Sequence, residues 1–129
     1  MKIDHDLPLE ISRIAKKEGC RTLIQISSIG ANIKSKIFYC QVKGLLEKSL
    51  EEIGFKELHI LRPSLLLGKR TETRNSENIS KLLIDNISFM IPWKYKPIHA
   101  KIVANKIKGI ISEKKSGKHI WEGRLLFNI

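Results

Sequence analysis

The sequence has few of the features that mark secreted, metal-binding or membrane-spanning proteins. It contains only two cysteines, Cys20 and Cys40, in 129 residues. Neither has a second cysteine or a histidine at a ligand spacing, which excludes a disulfide-stapled scaffold, a zinc site and a redox motif. The longest stretch without a charged side chain is residues 22–33, which is too short and too polar to cross a bilayer. No apolar segment follows the first residues, as a secretion signal requires, and we therefore expect a cytoplasmic protein.

Acidic residues are scarce as well, with 13 Asp and Glu against 24 Lys and Arg and a net charge of +11. Residues 94–118 alone hold eight lysines and one acid, Glu113. Such an excess is compatible with a basic nucleic-acid-binding module, because positive charge attracts phosphate backbones. The lysines are spread over a predicted helix and loop, and the only aromatic residues among or beside them are Trp93 and Tyr95. We therefore favour a solvated surface and expect no nucleic-acid partner.

The remaining composition, with 42% hydrophobic residues, is that of one globular domain over residues 1–129. Asp6 is predicted to cap a helix whose apolar face comprises Leu7, Ile11, Ile14 and Ala15, with Gly19 just beyond its end. Further elements are predicted as a strand at 22–27, a helix at 35–53 capped by Ser35, a strand at 55–61, a helix at 76–88, a helix from Pro97 to Ile111, and a short strand within 119–129.

This alternation of short strands and longer helices predicts a parallel sheet, in a Rossmann-like three-layer α/β fold. In such sheets the binding and catalytic groups lie at the carboxyl ends of the strands. Residues 27–32 and 62–74 follow the first two predicted strands and are the two loops richest in polar groups. Adjacent residues 4–6 rarely converge on one ion, and we predict no metal site.

The long helix carries Tyr39 and Lys43, whose i,i+4 spacing places both side chains on one face. An ammonium beside a phenol favours the phenolate, so Tyr39 is a candidate general acid/base for reduction of a carbonyl. A hydroxyl at the end of the neighbouring strand, from Ser28 or Ser27, is the candidate hydrogen-bond donor to the substrate oxygen. A Tyr-x-x-x-Lys spacing by itself also arises by chance on lysine-rich helices.

The order of these motifs resembles the short-chain dehydrogenase/reductase superfamily in its atypical or extended branch, and within it the Tat-interacting-protein-like NAD(P)H-binding oxidoreductases. The motifs are a strand ending in Ile-Ser-Ser-x-Gly at 26–30, the Tyr-x-x-x-Lys helix, and a strand ending in Leu-Arg-Pro-Ser at 61–64. The resemblance runs from residue 4 to Arg74, about three fifths of the chain, and reappears at 97–100.

The resemblance implies a Ser-Tyr-Lys site that reduces a small-molecule carbonyl with NAD(P)H. Tyr39 would be the acid/base, Lys43 would also bind the nicotinamide ribose, and Ser28 or Ser27 would complete the set. Leu66 would flank the nicotinamide, and Arg74 would approach the cofactor from the same side.

The chain lacks the glycine-rich turn that binds a dinucleotide pyrophosphate in this family. Its eight glycines include no pair two residues apart. The sequence therefore resembles the carboxyl-terminal portion of the family domain, without the first βα units. We expect a truncated or split form with impaired activity alone, which either pairs with a complementing amino-terminal half or forms a homo-oligomer. A non-catalytic scaffold that binds a partner through the exposed sheet edge is the other alternative.

Overall fold

A computed structural model describes residues 2–67 and 96–127 of the chain. Its strands are β1 (Thr22–Ile26), β2 (Glu57–Arg62), β3 (Leu66–Leu67), β4 (Ile98–His99) and β5 (Gly117–Glu122). Its α-helices are α1 (Leu7–Lys17), α2 (Phe38–Ile53) and α3 (Ala100–Glu113). A π-helical turn, Lys2–Asp6, precedes α1, and a 3₁₀ turn, Gly123–Leu126, follows β5.

The main sheet has the order β1-β2-β5, and all three strands are parallel. The β1–β2 pairing begins with Thr22 opposite Glu57, and the β2–β5 pairing ends with Arg62 opposite Glu122. β3 and β4 form a separate two-stranded parallel sheet. β1 and β2 are parallel neighbours, with α2 in the connection between them, and this confirms the parallel sheet predicted from the sequence.

Two apolar clusters lie on the two faces of this sheet because successive strand residues point to opposite sides. The cluster against α1 and α2 comprises Leu9, Leu46, Leu50, Phe55, Leu58 and Ile60. The cluster against α3 comprises Leu61, Ile98, Val103, Ile110 and Leu126. Helices on both faces of a parallel sheet make three layers, and this confirms the predicted Rossmann-like α/β class.

Element boundaries differ from the predicted ones by a few residues. α2 begins at Phe38 rather than at residue 35, because Ser35 accepts a hydrogen bond from the Ile37 backbone in a turn (3.1 Å) instead of capping the helix. α3 begins at Ala100, after the short strand β4, rather than at Pro97. The predicted helix at 76–88 lies outside the described residues.

The orientation of α1 differs from the predicted one. The sequence pattern assigned Leu7, Ile11 and Ile14 to the buried face, yet these side chains are 51%, 57% and 56% exposed. Leu9 and Ser12 are the buried residues of this helix. Asp6 occupies the cap position but makes no side-chain capping bond, because the π-helical turn continues the helical backbone through it. The apolar stripe of α1 therefore faces outward.

Within residues 2–67 and 96–127, no helix combines the length and apolar character needed to cross a membrane.

Candidate functional site

A buried ion-pair network crosses the carboxyl end of the main sheet. Arg62, the last residue of the central strand, donates from Nε and Nη2 to the two carboxylate oxygens of Glu47 on α2, at 3.0 and 2.5 Å. Its Nη1 donates to Glu122 on β5, at 3.1 Å. The Glu47 side chain is only 7% exposed. The hydrogen bonds to Glu47 are the largest cause that raises the Arg62 pKa above its ordinary value. The network ties α2 and two strands together at this edge of the sheet.

The two candidate serines differ in their surroundings. Ser27 is buried, and its hydroxyl donates to Glu47 at 2.5 Å, so this hydroxyl belongs to the ion-pair network. Ser28 is partly exposed, and its hydroxyl donates to the backbone carbonyl of Ile29 at 3.2 Å. Neither serine hydrogen-bonds Tyr39 or Lys43 in the described structure. The Ser28 hydroxyl is thus the more accessible of the two.

Tyr39 and Lys43 are brought together on the first turns of α2. The Lys43 ammonium lies 5.3 Å from the centre of the Tyr39 ring. It also pairs with the Asp4 carboxylate of the π-helical turn at 3.1 Å, and its side chain is only 11% exposed. Tyr39 is half-exposed. The sequence did not predict a role for Asp4 at this site, because the contact between Asp4 and Lys43 joins residues far apart in the chain.

The loop that carries Ser28 packs against the same turns of α2. The backbone N–H of Asn32 donates to the Cys40 carbonyl at 3.1 Å, and an added Cβ on Gly30 would lie 3.6 Å from Cys40 Sγ. A Cβ on Gly44 would lie 2.5 Å from the Asn32 backbone, so only glycine allows this approach. The loop and the Tyr39 turn are therefore neighbours at the carboxyl edge, as expected for ligand sites in parallel sheets.

The sequence also predicts Leu66 and Arg74 as cofactor contacts. Leu66 lies in β3 and is 41% exposed, while Arg74 lies outside the described residues. Among the described residues, no group of three or more metal-ligating side chains converges on one point.

A second polar cluster, not anticipated from the sequence, lies on the α3 face of the sheet. Buried His59 on β2 stacks with His119 and Trp121 of β5, with ring centres 5.0 and 6.0 Å away. Trp121 Nε1 donates to His59 Nδ1 at 3.2 Å, and the buried Lys106 ammonium lies 3.8 Å over the Trp121 ring. Burial is the main cause that lowers the pKa of both His59 and Lys106. His59 and Lys106 are buried, whereas His119 and Trp121 on β5 are partly exposed.

No protein-family model matches the chain. It is similar to curated fungal proteins named FMP52, mitochondrial. The protein of Saccharomyces cerevisiae is 44% identical over 75 residues, which cover 58% of this chain and 32% of the relative. That of Emericella nidulans is 40% identical over 80 residues, covering 62% and 34%. That of Debaryomyces hansenii is 34% identical over 114 residues, covering 87% and 50%. The chain thus spans between a third and a half of the length of these relatives.

These comparisons correct two expectations. The family named from the sequence motifs, the short-chain dehydrogenase/reductase superfamily with its Tat-interacting-protein-like members, is wrong, because the similar proteins carry the name FMP52. The expected cytoplasmic location is contradicted as well, since each of these names describes a mitochondrial protein.

Proposed function

We propose that this chain forms the carbonyl-reducing part of an NAD(P)-dependent oxidoreductase-like protein, with Tyr39 as its acid/base. The observation that carries the proposal is the Lys43 ammonium 5.3 Å from the centre of the Tyr39 ring, next to the Ser28 loop at the carboxyl edge of a parallel sheet. A cation beside a phenol stabilises the phenolate that forms when the phenol gives its proton away. Tyr39 is half-exposed and therefore open to a ligand.

Each residue has a separate task in this proposal. Tyr39 donates its phenolic proton to the carbonyl oxygen as that oxygen gains negative charge. Lys43, held in place by Asp4, stabilises the phenolate that remains. The Ser28 hydroxyl turns from the Ile29 carbonyl to the substrate oxygen and donates a hydrogen bond to it. Ser27 keeps the edge of the sheet in place through Glu47 and does not meet the substrate.

A reduced nicotinamide would supply the hydride, and the described residues fit only that end of a dinucleotide. In this proposal Lys43 on α2 would meet the nicotinamide ribose, and Leu66 on β3 would meet the ring. The described loops contain no glycine-rich turn whose backbone N–H groups would close on a pyrophosphate. In this proposal a complementing polypeptide segment supplies the pyrophosphate contacts.

Two features support a complementing segment. The similar proteins are two to three times as long as the part that this chain matches. Among the described strands, β1 pairs only with β2, which leaves its other edge with unpaired backbone groups and with Ile26 exposed. An unpaired apolar edge of a parallel sheet is normally covered by another strand.

The second candidate function is that of an interaction scaffold. In that case a partner protein pairs with the free edge of β1, and no reaction takes place at Tyr39.

We also propose a mitochondrial location, because similar proteins from several fungi carry that word in their names. A fluorescent fusion of the chain, expressed in a fungal cell, should colocalise with a mitochondrial dye. An evenly distributed cytosolic signal would contradict this proposal.

The reaction is tested by assembling the chain with a complementing segment that carries a glycine-rich turn and measuring NAD(P)H-dependent reduction of a panel of aldehydes and ketones. Tyr39→Phe should abolish turnover and leave cofactor affinity nearly unchanged, since it removes one hydroxyl that acts in proton transfer. Lys43→Ala should lower both turnover and cofactor affinity.

Ser28→Ala and Ser27→Ala form a matched pair of controls. We expect Ser28→Ala to lower kcat by about 100-fold, the usual effect of removing one donor to a developing oxyanion. Ser27→Ala should lower thermal stability and affect kcat much less. Undiminished turnover in Tyr39→Phe would remove Tyr39 as the acid/base and favour the scaffold.

A further inference from the structure

We propose that the chain binds the phosphomonoester of a small polyol in a cavity at the amino edge of the main sheet, the edge at which its strands begin. The three strands start there in register, at Thr22, Glu57 and Gly117. The cavity has a volume of about 460 Å³, which is room for a phosphate group with a short polyol attached. The Tyr39 site lies at the opposite, carboxyl edge, so this is a separate site.

Three cationic side chains line the cavity, and each belongs to a loop that leads into one strand of the sheet. Arg21 directly precedes β1, Lys56 directly precedes β2, and Lys114 begins the loop between α3 and β5. Within residues 2–67 and 96–127, none of these three side chains forms an ion pair. Cations around one concave surface that lack carboxylate partners attract a dianion, and a phosphomonoester is such a dianion.

Backbone hydrogen bonds hold two of these cationic residues side by side. The Glu57 N–H donates to the Arg21 carbonyl at 3.0 Å, and the Gly117 N–H donates to the Lys56 carbonyl at 2.8 Å. These bonds continue the parallel ladder by one residue, so the backbones of Arg21 and Lys56 keep the spacing of neighbouring strands, about 4.8 Å. Two like charges whose backbones are held this close repel each other, and a bound dianion removes that repulsion.

The third cation occupies a backbone position that favours glycine. Lys114 follows the end of α3 with a φ of 49°, and in the described part of the chain it is the one residue other than glycine with a positive φ. The equivalent position after α2 is taken by Gly54, at a φ of 73°. Glycine stabilises such a left-handed helix end better than lysine does. The fold itself therefore has no need of lysine at residue 114, whereas a bound anion does.

A carboxylate among the cations indicates what the phosphate is attached to. Glu57 lines the same cavity and is 8% exposed. Its Oε2 accepts a hydrogen bond from Thr22 Oγ1 at 2.6 Å, while its Oε1 accepts none from the described residues and remains accessible. A carboxylate repels phosphate but accepts a hydrogen bond from a hydroxyl group. A polyol phosphate carries both groups, and the Ser116 hydroxyl at the same cavity can bond to either.

The first experiment is a heteronuclear NMR titration of the 129-residue chain with inorganic phosphate, glycerol 3-phosphate or glycerol. Ligands are added up to about 20 mM at constant low ionic strength, because salt screens exposed charges. Inorganic phosphate should shift the backbone amide signals of Glu57 and Gly117 with a dissociation constant on the order of 1 mM. Glycerol 3-phosphate should bind several-fold more tightly, and glycerol alone should cause no shift.

The second experiment removes the cations one at a time. Arg21→Gln and Lys56→Gln should each weaken binding of both phosphates by about three- to tenfold. Lys101→Gln is the matched control, since it removes the same charge from an exposed lysine at the other end of α3. It should leave both dissociation constants unchanged.

Lys114→Gly separates binding from folding. It should weaken phosphate binding as much as the other two variants do, yet raise Tm, because glycine adopts the positive φ at residue 114 without strain. A loss of binding that accompanies a gain in stability cannot arise from unfolding.

Glu57→Gln tests the polyol. It should tighten the binding of inorganic phosphate, because it removes a negative charge, and should reduce the advantage of glycerol 3-phosphate over inorganic phosphate. Circular dichroism confirms that this variant is folded. The absence of saturable shifts at Glu57 and Gly117 overturns the site, and so does an equal weakening by Lys101→Gln. An ester that binds the wild-type chain no more tightly than inorganic phosphate overturns the assignment of a polyol phosphate.

Discussion

Removing either partner of the Glu47–Arg62 pair should destabilise the fold more than removing both. Glu47 accepts hydrogen bonds from Arg62 through both carboxylate oxygens and from Ser27 through one of them. Glu47→Leu replaces this buried carboxylate by an aliphatic side chain of similar size. Arg62 then keeps only Glu122, and the Ser27 hydroxyl has no acceptor.

The expected cost follows from burial. Breaking a buried ion pair by removing one partner costs about 3–5 kcal/mol. Arg62 is 20% exposed and retains Glu122, so we expect the lower end, about 3 kcal/mol. For a domain of this size that corresponds to a fall in Tm of about 10 °C. Arg62→Met should cost a similar amount, since it leaves the Glu47 carboxylate buried and unpaired.

The double variant, with Glu47→Leu and Arg62→Met, replaces the pair by apolar side chains of similar volume, an exchange that is often close to neutral. It should therefore be more stable than either single variant. Urea unfolding followed by circular dichroism gives all three free energies, provided that protein concentration is held constant. Glu51→Leu serves as the control, because its pair with Lys118 (2.5 Å) is exposed and should contribute less than about 1 kcal/mol. Additive losses in the double variant, or a loss below 1 kcal/mol for Glu47→Leu, would refute this reasoning.

Three further predictions concern other parts of the molecule. Burial, and then the nearby His119 charge, lower the pKa of His59 in the folded chain below 6.5. The unfolded chain therefore takes up a proton first, and the free energy of unfolding should fall as the pH drops below about 6.5, until the folded-state pKa is passed. His59→Gln should flatten this part of a plot of unfolding free energy against pH, and an unchanged slope would contradict the prediction. Gly44→Ala should destabilise the chain by about 1–3 kcal/mol in urea unfolding, because the added Cβ meets the Asn32 backbone at 2.5 Å. A gain in stability would contradict this prediction, because it would show that the backbone at Asn32 can move away from the added Cβ. The lysines of residues 94–118 should give only weak, salt-sensitive binding to DNA or RNA, and a dissociation constant below about 1 μM at ~0.15 M salt in fluorescence anisotropy would favour the nucleic-acid alternative.

The order of elements and the parallel α/β class could be predicted from local patterns. Short β-branched segments alternate with longer helical ones, and a parallel arrangement follows because each connection contains a helix long enough to return to the same edge of the sheet. The Tyr39 and Lys43 juxtaposition is local too, since four residues make slightly more than one helical turn.

The orientation of α1 and the partners of the serines were decided by tertiary packing. A helix with apolar residues on one side is expected to bury that side, yet α1 buries Leu9 and Ser12 and leaves the stripe outside. Periodicity identifies an apolar face but does not specify whether tertiary packing will bury it.

The Glu47–Arg62 pair and the Lys43–Asp4 pair join residues 15 and 39 positions apart in the sequence. No local spacing predicts such contacts, because they form only after the strands have aligned and brought their carboxyl ends to one edge. The choice between Ser27 and Ser28 belongs to the same class. Both serines follow the end of β1, and only the packed position of Glu47 shows which hydroxyl is engaged in the core.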